Sequence, residues 1–250
     1  MFAIERKGTE PAVLFVHGFC QSSAYWTPTV ERLARLGVAA FAPDLPGFGA
    51  SAREKGPYTM AALADALATQ LDLWRMPRIV LVGGSMGGVV AQHFVLRHPE
   101  RVERLLLVAT GGVTANKAVA LEKADALAAA GWNEQTVSPI VDGFFHRRPS
   151  APELAEYRRI ALAASQAAAV EAARSNAVNR TLDELRSIRV PTMIVQGRHD
   201  RARTPEHGAD MRDRIAGSRL VVLEGSGHTP HLEQPEEFHE IAIPFLLGRH

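Results

Sequence analysis

The chain has 250 residues, of which 46% are apolar and 22% charged, and its formal charge is +1. That is enough apolar sequence for a large core, and it fits one α/β domain or one domain carrying an insertion. Lysine and arginine (28) nearly balance aspartate and glutamate (27), which argues against a nucleic-acid or anionic-membrane partner and for a small-molecule one.

Two further features set the compartment expected. The single cysteine, Cys20, cannot form an internal disulfide, and the opening MFAIERKG has no apolar stretch of signal-peptide length. The run AVLFVHGF falls well short of the roughly 20 apolar residues of a membrane span. A cytoplasmic protein without a membrane anchor is expected.

In chain order, short β-branched runs alternate with longer helical patterns. AVLFVHG (12–18) reads as a buried strand, followed by a helical pattern over 23–36, the strand GVAAFAPD (37–44) and a helix over 59–74. The strand RIVLVGG (78–84), a helix over 86–97 and the strand RLLLVAT (104–110) come next. After a gap come the strand TMIVQG (192–197), a helix over 205–214, the strand RLVVLEG (219–225) and a helix over 235–247. Thr204-Pro205 and Pro235-Glu236-Glu237 mark two helix starts, with proline at the first helical position and, at the second, carboxylates near the positive end of the dipole. The alternation predicts an α/β fold with a mostly parallel sheet flanked by helices. It breaks between Thr110 and Thr192, where only Ala-rich helical patterns occur, around 117–130 and 152–177. Leu154, Tyr157, Ala161, Ala164 and Ala168 recur there at helical spacing, so the segment 113–186 is read as an inserted helical cap rather than disordered sequence. The core domain is then 1–112 and 187–250.

IVLVGGSMGGVV (79–90) runs a strand into a helix through Gly83-Gly84-Ser85-Met86-Gly87. This is the G-x-S-x-G nucleophile elbow, in which a sharp turn lifts a serine above the sheet edge and only hydrogens fit two residues either side. A dinucleotide-binding turn would need glycine where Ser85 stands. A serine hydroxyl needs a base, an acid to orient the base and donors for an oxyanion. His228 follows the last strand in SGHTPHLEQPEEF, Asp200 follows the preceding one in TMIVQGRHD, and the order Ser85, Asp200, His228 is that of α/β-hydrolase triads. Phe19 and Met86 are expected to supply the oxyanion-hole N–H groups, from the turn after VLFVHG and from the start of the elbow helix.

Competing readings exist for several residues. Glu224 is the alternative acid, and Asp44 in PDLPGFGAS is read as bracing its own loop. His199 is expected to point elsewhere. His231 lies three residues beyond His228, but no third ligand stands at metal-site spacing, so no metal is expected. Cys20 reads as a small apolar residue beside a pocket. Phe144, Phe145 and Trp132 read equally as pocket wall or as packing, as do Tyr25 and Trp26, and His146-Arg147-Arg148 reads as a solvated turn rather than a carboxylate site.

His17-Gly18-Phe19, DLPGFGAS (44–51), GGSMGG (83–88), GRHD (197–200) and GHTPHLEQPEEF (227–238) together resemble the α/β-hydrolase fold superfamily across nearly the whole chain. The resemblance is to serine hydrolases of the carboxylesterase and enol-lactone hydrolase kind, with a helical cap. It implies Ser85, Asp200 and His228 as catalytic triad, the amides of Phe19 and Met86 as oxyanion hole, no metal or organic cofactor, and a small-molecule acyl substrate. Ser85 in place of a carboxylate nucleophile argues against dehalogenase and epoxide hydrolase relatives. Ester or lactone hydrolysis is therefore expected. The alternatives are carbon–carbon hydrolysis of ring-cleavage products, cofactor-free perhydrolase or haloperoxidase chemistry, and a non-catalytic ligand receptor. Carbon–carbon hydrolases usually carry a Gly-Pro-Gly-like stretch after the first His-Gly and a tryptophan after the catalytic histidine, where this chain has Phe19-Cys20-Gln21 and Thr229. Relatives often have a larger residue where this chain has Gly84, whose missing side chain is expected to widen the pocket floor or to loosen the elbow.

Overall fold

The computed structural model describes residues 1–114 and 116–249, apart from the side chain of Glu10. Seven strands form one sheet: β1 (Ala3–Arg6), β2 (Thr9–Val16), β3 (Val38–Pro43), β4 (Ile79–Gly84), β5 (Val102–Val108), β6 (Thr192–Gly197) and β7 (Arg219–Leu223). Their order is β1-β3-β2-β4-β5-β6-β7, with β1 antiparallel to β3 and every other pairing parallel. The parallel strands are the six apolar runs of the sequence. β1 is an addition: AIER, half exposed at the sheet edge, is too short and too polar at one end to show the alternation that marks a strand.

The flanking helices follow from amphipathic spacing and identifiable starts. α1 (Thr27–Arg35) opens on a proline in its first turn and continues a 3₁₀ turn over Ser23–Trp26, so the single helix expected there is two pieces. α2 (Met60–Leu73) is capped by Thr59, whose side chain accepts from Ala62 N–H. α3 (Met86–Arg97) follows the elbow directly. Alternate strand residues feed two cores, one on each face of the sheet. Leu14, Val16, Leu81 and Leu105 pack towards α2 and α3. Val13, Phe15, Val80 and Val82 join Val30 and Leu33 of α1 on the other face.

Between β5 and β6 the described residues form four α-helices, α4 (Lys117–Ala130), α5 (Glu134–Asp142), α6 (Ala151–Leu162) and α7 (Gln166–Ala177), followed by a 3₁₀ turn over Glu184–Ser187. α5 does not show in the Ala-rich pattern, because Pro139 sits inside it and only Val137 and Val141 are buried. The pattern over 152–177 divides into α6 and α7 at Ala163–Ser165, where Ser165 caps α7 through Ala168 N–H. α7 belongs in part to the main core: Ala168 and Ala172 pack among its buried residues, and Ser175 Oγ and Glu171 Oε1 accept from the backbone of Met60 and Tyr58. α5 and α6 form a separate apolar cluster with the buried Cys20 and the half-buried Phe19, Trp132 and Phe145. The chain closes with α8 (Pro205–Arg212), the one-turn α9 (Pro230–Glu233) and α10 (Pro235–Leu246). No helix among the described residues is long and apolar enough to cross a membrane.

Candidate active site

Ser85 stands between β4 and α3 with φ 51° and ψ −118°, a conformation that side-chain-bearing residues rarely adopt. The turn is held from both sides: Ser85 N–H donates to Val108 carbonyl at 2.8 Å, and Thr110 Oγ1 donates to Ser85 carbonyl at 2.7 Å. The flanking glycines are required by close backbone approach. A Cβ on Gly83 would stand 2.4 Å from Gly87 carbonyl oxygen, and one on Gly87 would stand 2.3 Å from that of Val16.

The parallel strands end on one rim and bring three distant side chains together. His228 Nε2 lies 2.7 Å from Ser85 Oγ, and His228 Nδ1 lies 2.6 Å from Asp200 Oδ2. Asp200 is buried, and its other oxygen accepts from the amides of Ala202 (2.8 Å) and Arg203 (2.9 Å). Those two amides fix the carboxylate, so Oδ2 is left to orient the imidazole. Glu224 is elsewhere, paired with Arg198 on the surface.

The amides of Phe19 and Met86 have no hydrogen-bond acceptor among the described residues, and both residues line the same cavity as Ser85 and His228, about 500 Å³ in volume. Met86 heads α3, whose first N–H groups have no partner within the helix. The Phe19 turn is set by Gly18 N–H donating to Gln21 Oε1 at 2.8 Å and by the buried His17. The Nδ1 of His17 donates to Gly18 carbonyl (2.9 Å), while its Nε2 accepts from Leu45 N–H (2.9 Å). Burial lowers the His17 pKa against the pull of Asp44, which keeps that tautomer neutral. Asp44 itself accepts from Ser23 and Ala50 amides, bracing its own loop and the one after β2.

His199 stacks on His146, ring centroids 3.7 Å apart. His231 is buried and stacked on Trp26 at 4.1 Å. Burial, with His228 and His239 nearby, lowers its pKa to about 3. Tyr25 packs on Tyr157 at 4.8 Å. Phe144 lines the cavity and lies 5.5 Å from the His228 ring, whereas Phe145 stacks on Tyr157 and Trp132 meets Phe19 edge to face. The expectation for Gly84 is corrected. A Cβ there would meet Trp26 Cζ2 at 3.0 Å, so the missing side chain makes room for the buried indole and not for a substrate.

Glu233 is the residue that sequence reasoning passed over. Its Oε2 accepts from the amides of His146 (2.7 Å) and Arg147 (2.9 Å), and its Oε1 from Gly227 N–H (2.9 Å) and from the amide and hydroxyl of Thr229 (3.3 and 3.1 Å). His228 N–H donates to Phe144 carbonyl at 2.8 Å. The loop that carries the imidazole is thus fastened to the α5–α6 connection. Thr229 four residues before Glu233 is one residue off the capping-box spacing, and that near-match was the available signal.

The chain matches the family model described as the alpha/beta hydrolase family over residues 13–241. The 2-hydroxy-6-oxo-2,4-heptadienoate hydrolase of Pseudomonas putida is 31% identical over 261 residues, 96% of this chain and 91% of that protein. The pimeloyl-[acyl-carrier protein] methyl ester esterase of Aeromonas hydrophila is 31% identical over 261 residues, 98% of each. Among solved structures, a thermophilic esterase from Thermogutta terrifontis superposes with a TM-score of 0.88 at 29% identity, covering 100% of this chain and 93% of that one.

Proposed function

The chain belongs to the alpha/beta hydrolase family, and from that premise we propose that it is a serine hydrolase that cleaves a small carboxylic ester or lactone through an acyl-enzyme on Ser85. The observation that carries this reading is the relay Asp200 Oδ2, His228, Ser85 Oγ, with separations of 2.6 and 2.7 Å.

His228 Nε2 takes the proton of Ser85 Oγ as that oxygen attacks the acyl carbon, and Asp200 stabilises the imidazolium through Nδ1. The carbonyl oxygen becomes an oxyanion facing the unpartnered amides of Phe19 and Met86, and each such donor is worth about 3 kcal/mol in the transition state. His228 returns the proton to the leaving oxygen. Water, deprotonated by the same imidazole, then attacks the acyl-enzyme and frees the acid. Each step is proton transfer and addition at a carbonyl carbon, within reach of these side chains. In this reading 113–186 acts as a cap over a core made of 1–112 and 187–250, and α4, α7 and Phe144 shape the substrate cavity.

Carbon–carbon hydrolysis is the second reading, favoured by the likeness to the Pseudomonas putida hydrolase. The two are separated by a panel of short-chain esters, aryl esters, lactones and a vinylogous 1,5-diketone acid run on wild type and Ser85→Ala. Ester or lactone turnover that disappears in Ser85→Ala, together with stoichiometric fluorophosphonate labelling of Ser85, is expected. Cleavage of the diketone alone would replace ester hydrolysis by carbon–carbon hydrolysis. Labelling without turnover of any acyl substrate would make the protein a receptor.

A further inference from the structure

The cavity over Ser85 carries a charge pattern that acyl transfer does not require. Lys123, Arg201 and Arg203 line it, and no aspartate or glutamate does, in a chain whose acids and bases nearly balance. Lys123 and Arg201 are exposed at the mouth. Arg203 is half buried, and among the described residues its side chain makes one hydrogen bond, from Nη1 to Val113 carbonyl at 3.2 Å. A guanidinium has five N–H donors, so most of those of Arg203 remain available. Among the described residues none of the three forms an ion pair, although Arg198 in the same loop is paired with Glu224.

Asp200 is the carboxylate that acts on Arg203, opposing the effect of burial, which lowers the Arg203 pKa. Both oxygens of Asp200 are already engaged, by His228 and by two backbone amides. A half-buried cation without a dedicated counter-ion is held at a cost that an incoming anion removes. Asn176 also lines the cavity, and its buried Oδ1 has no partner among the described residues. Its amide can turn either end to a ligand.

We propose that the substrate is an ester or lactone that also bears a carboxylate, and that Arg203, with Lys123 and Arg201 at the mouth, holds this carboxylate while Ser85 attacks the acyl carbon. The proposal rests on the hydrolase reading above. A planar guanidinium matches a carboxylate in bidentate fashion, and two exposed cations raise the local concentration of anionic substrate. The His146-Arg147-Arg148 turn does not line this cavity.

The test compares monomethyl glutarate with methyl pentanoate, which has a methyl group where the first has its carboxylate. Calorimetric binding to Ser85→Ala and kcat/KM in the otherwise native chain are measured, each alone and with Arg203→Gln, Arg203→Lys or Lys123→Gln. The anionic ester is expected to be preferred at least tenfold, the preference to fall by tenfold or more in Arg203→Gln and partly to return in Arg203→Lys. Lys123→Gln, at an exposed position, lowers the preference less, and added salt erodes it. No binding of monomethyl glutarate, no preference for it, or a preference that survives both glutamine variants overturns the proposal. If charge-dependent binding is found but neither ester is hydrolysed and Ser85 resists fluorophosphonate, the anion site stands and the hydrolase reading falls. Equal hydrolysis of both esters removes the anion site and leaves the hydrolase reading standing.

Discussion

The strands that lead to Ser85 and the helices between β5 and β6 are packed to different standards. Every residue of β4 and of β6 is buried, whereas α4 buries only Ala124 and Leu127. The sheet fixes the nucleophile through backbone contacts with no slack, down to glycines on which a methyl group would collide with carbonyl oxygens. Of the helices between β5 and β6, α7 packs Ala168 and Ala172 into the main core, while the α5–α6 connection is fastened to the His228 loop by the carboxylate of Glu233. In the function proposed above, chemistry that needs sub-ångström placement sits on the first kind of structure, and contacts that select a substrate sit on the second.

Removing the hydroxyl of Ser85 tests the sheet side of this contrast most severely. Ser85→Ala is expected to lower turnover on the order of 10⁴-fold or more while the thermal midpoint stays within a few degrees, read by ester hydrolysis and by calorimetry. The joint between the two regions comes next. Glu233→Ala leaves five donors without their acceptor and is expected to slow fluorophosphonate labelling of Ser85 about tenfold, with a drop in thermal midpoint. An unchanged labelling rate would mean that the His228 loop is held in place without the α5–α6 connection.

Gly84→Ala probes packing beneath the elbow. Pressing a methyl group against Trp26 is expected to cost about 1–3 kcal/mol of stability and to leave the ratio of rates on bulky and small esters unchanged. A shift in that ratio would return Gly84 to the pocket. For His231 the folded-state pKa of about 3 lies below the ordinary 6.5, so the unfolded chain binds its proton first. Stability therefore rises with pH between about 3 and 6.5 and is flat above that window. His231→Phe, which can keep the stacking on Trp26, should flatten this part of the curve of thermal midpoint against pH. The smallest effect is expected on the outside of the covering helices. Arg159→Ala breaks an exposed pair with Glu156 and should change stability by less than about 0.5 kcal/mol with no kinetic effect.

Much of the fold and of the site was legible because its signals are local. Six parallel strands stand out as apolar runs, and the elbow is confined to five consecutive residues. Asp200 and His228 could be nominated because each follows a strand whose end must lie on the same rim. β1 was missed since a half-exposed edge strand lacks the alternation, and α5 because an internal proline and two buried valines make a weak pattern. The run of arginines around Asp200 was visible in RHDRAR, but its meaning depends on which of them find partners.

By itself the sequence determined the alternating architecture, the strained turn at Ser85 and the chain order of the three proposed catalytic side chains, because these follow from backbone periodicity and from glycine placement within a few residues. Only the tertiary structure decided that Gly84 makes room for Trp26, that Glu233 ties the histidine loop to the α5–α6 connection 87 residues away, and that Arg203 lines the cavity with no ion-pair partner among the described residues. Such pairings depend on where separate loops come to rest, and residue types spaced along a chain do not encode that distance.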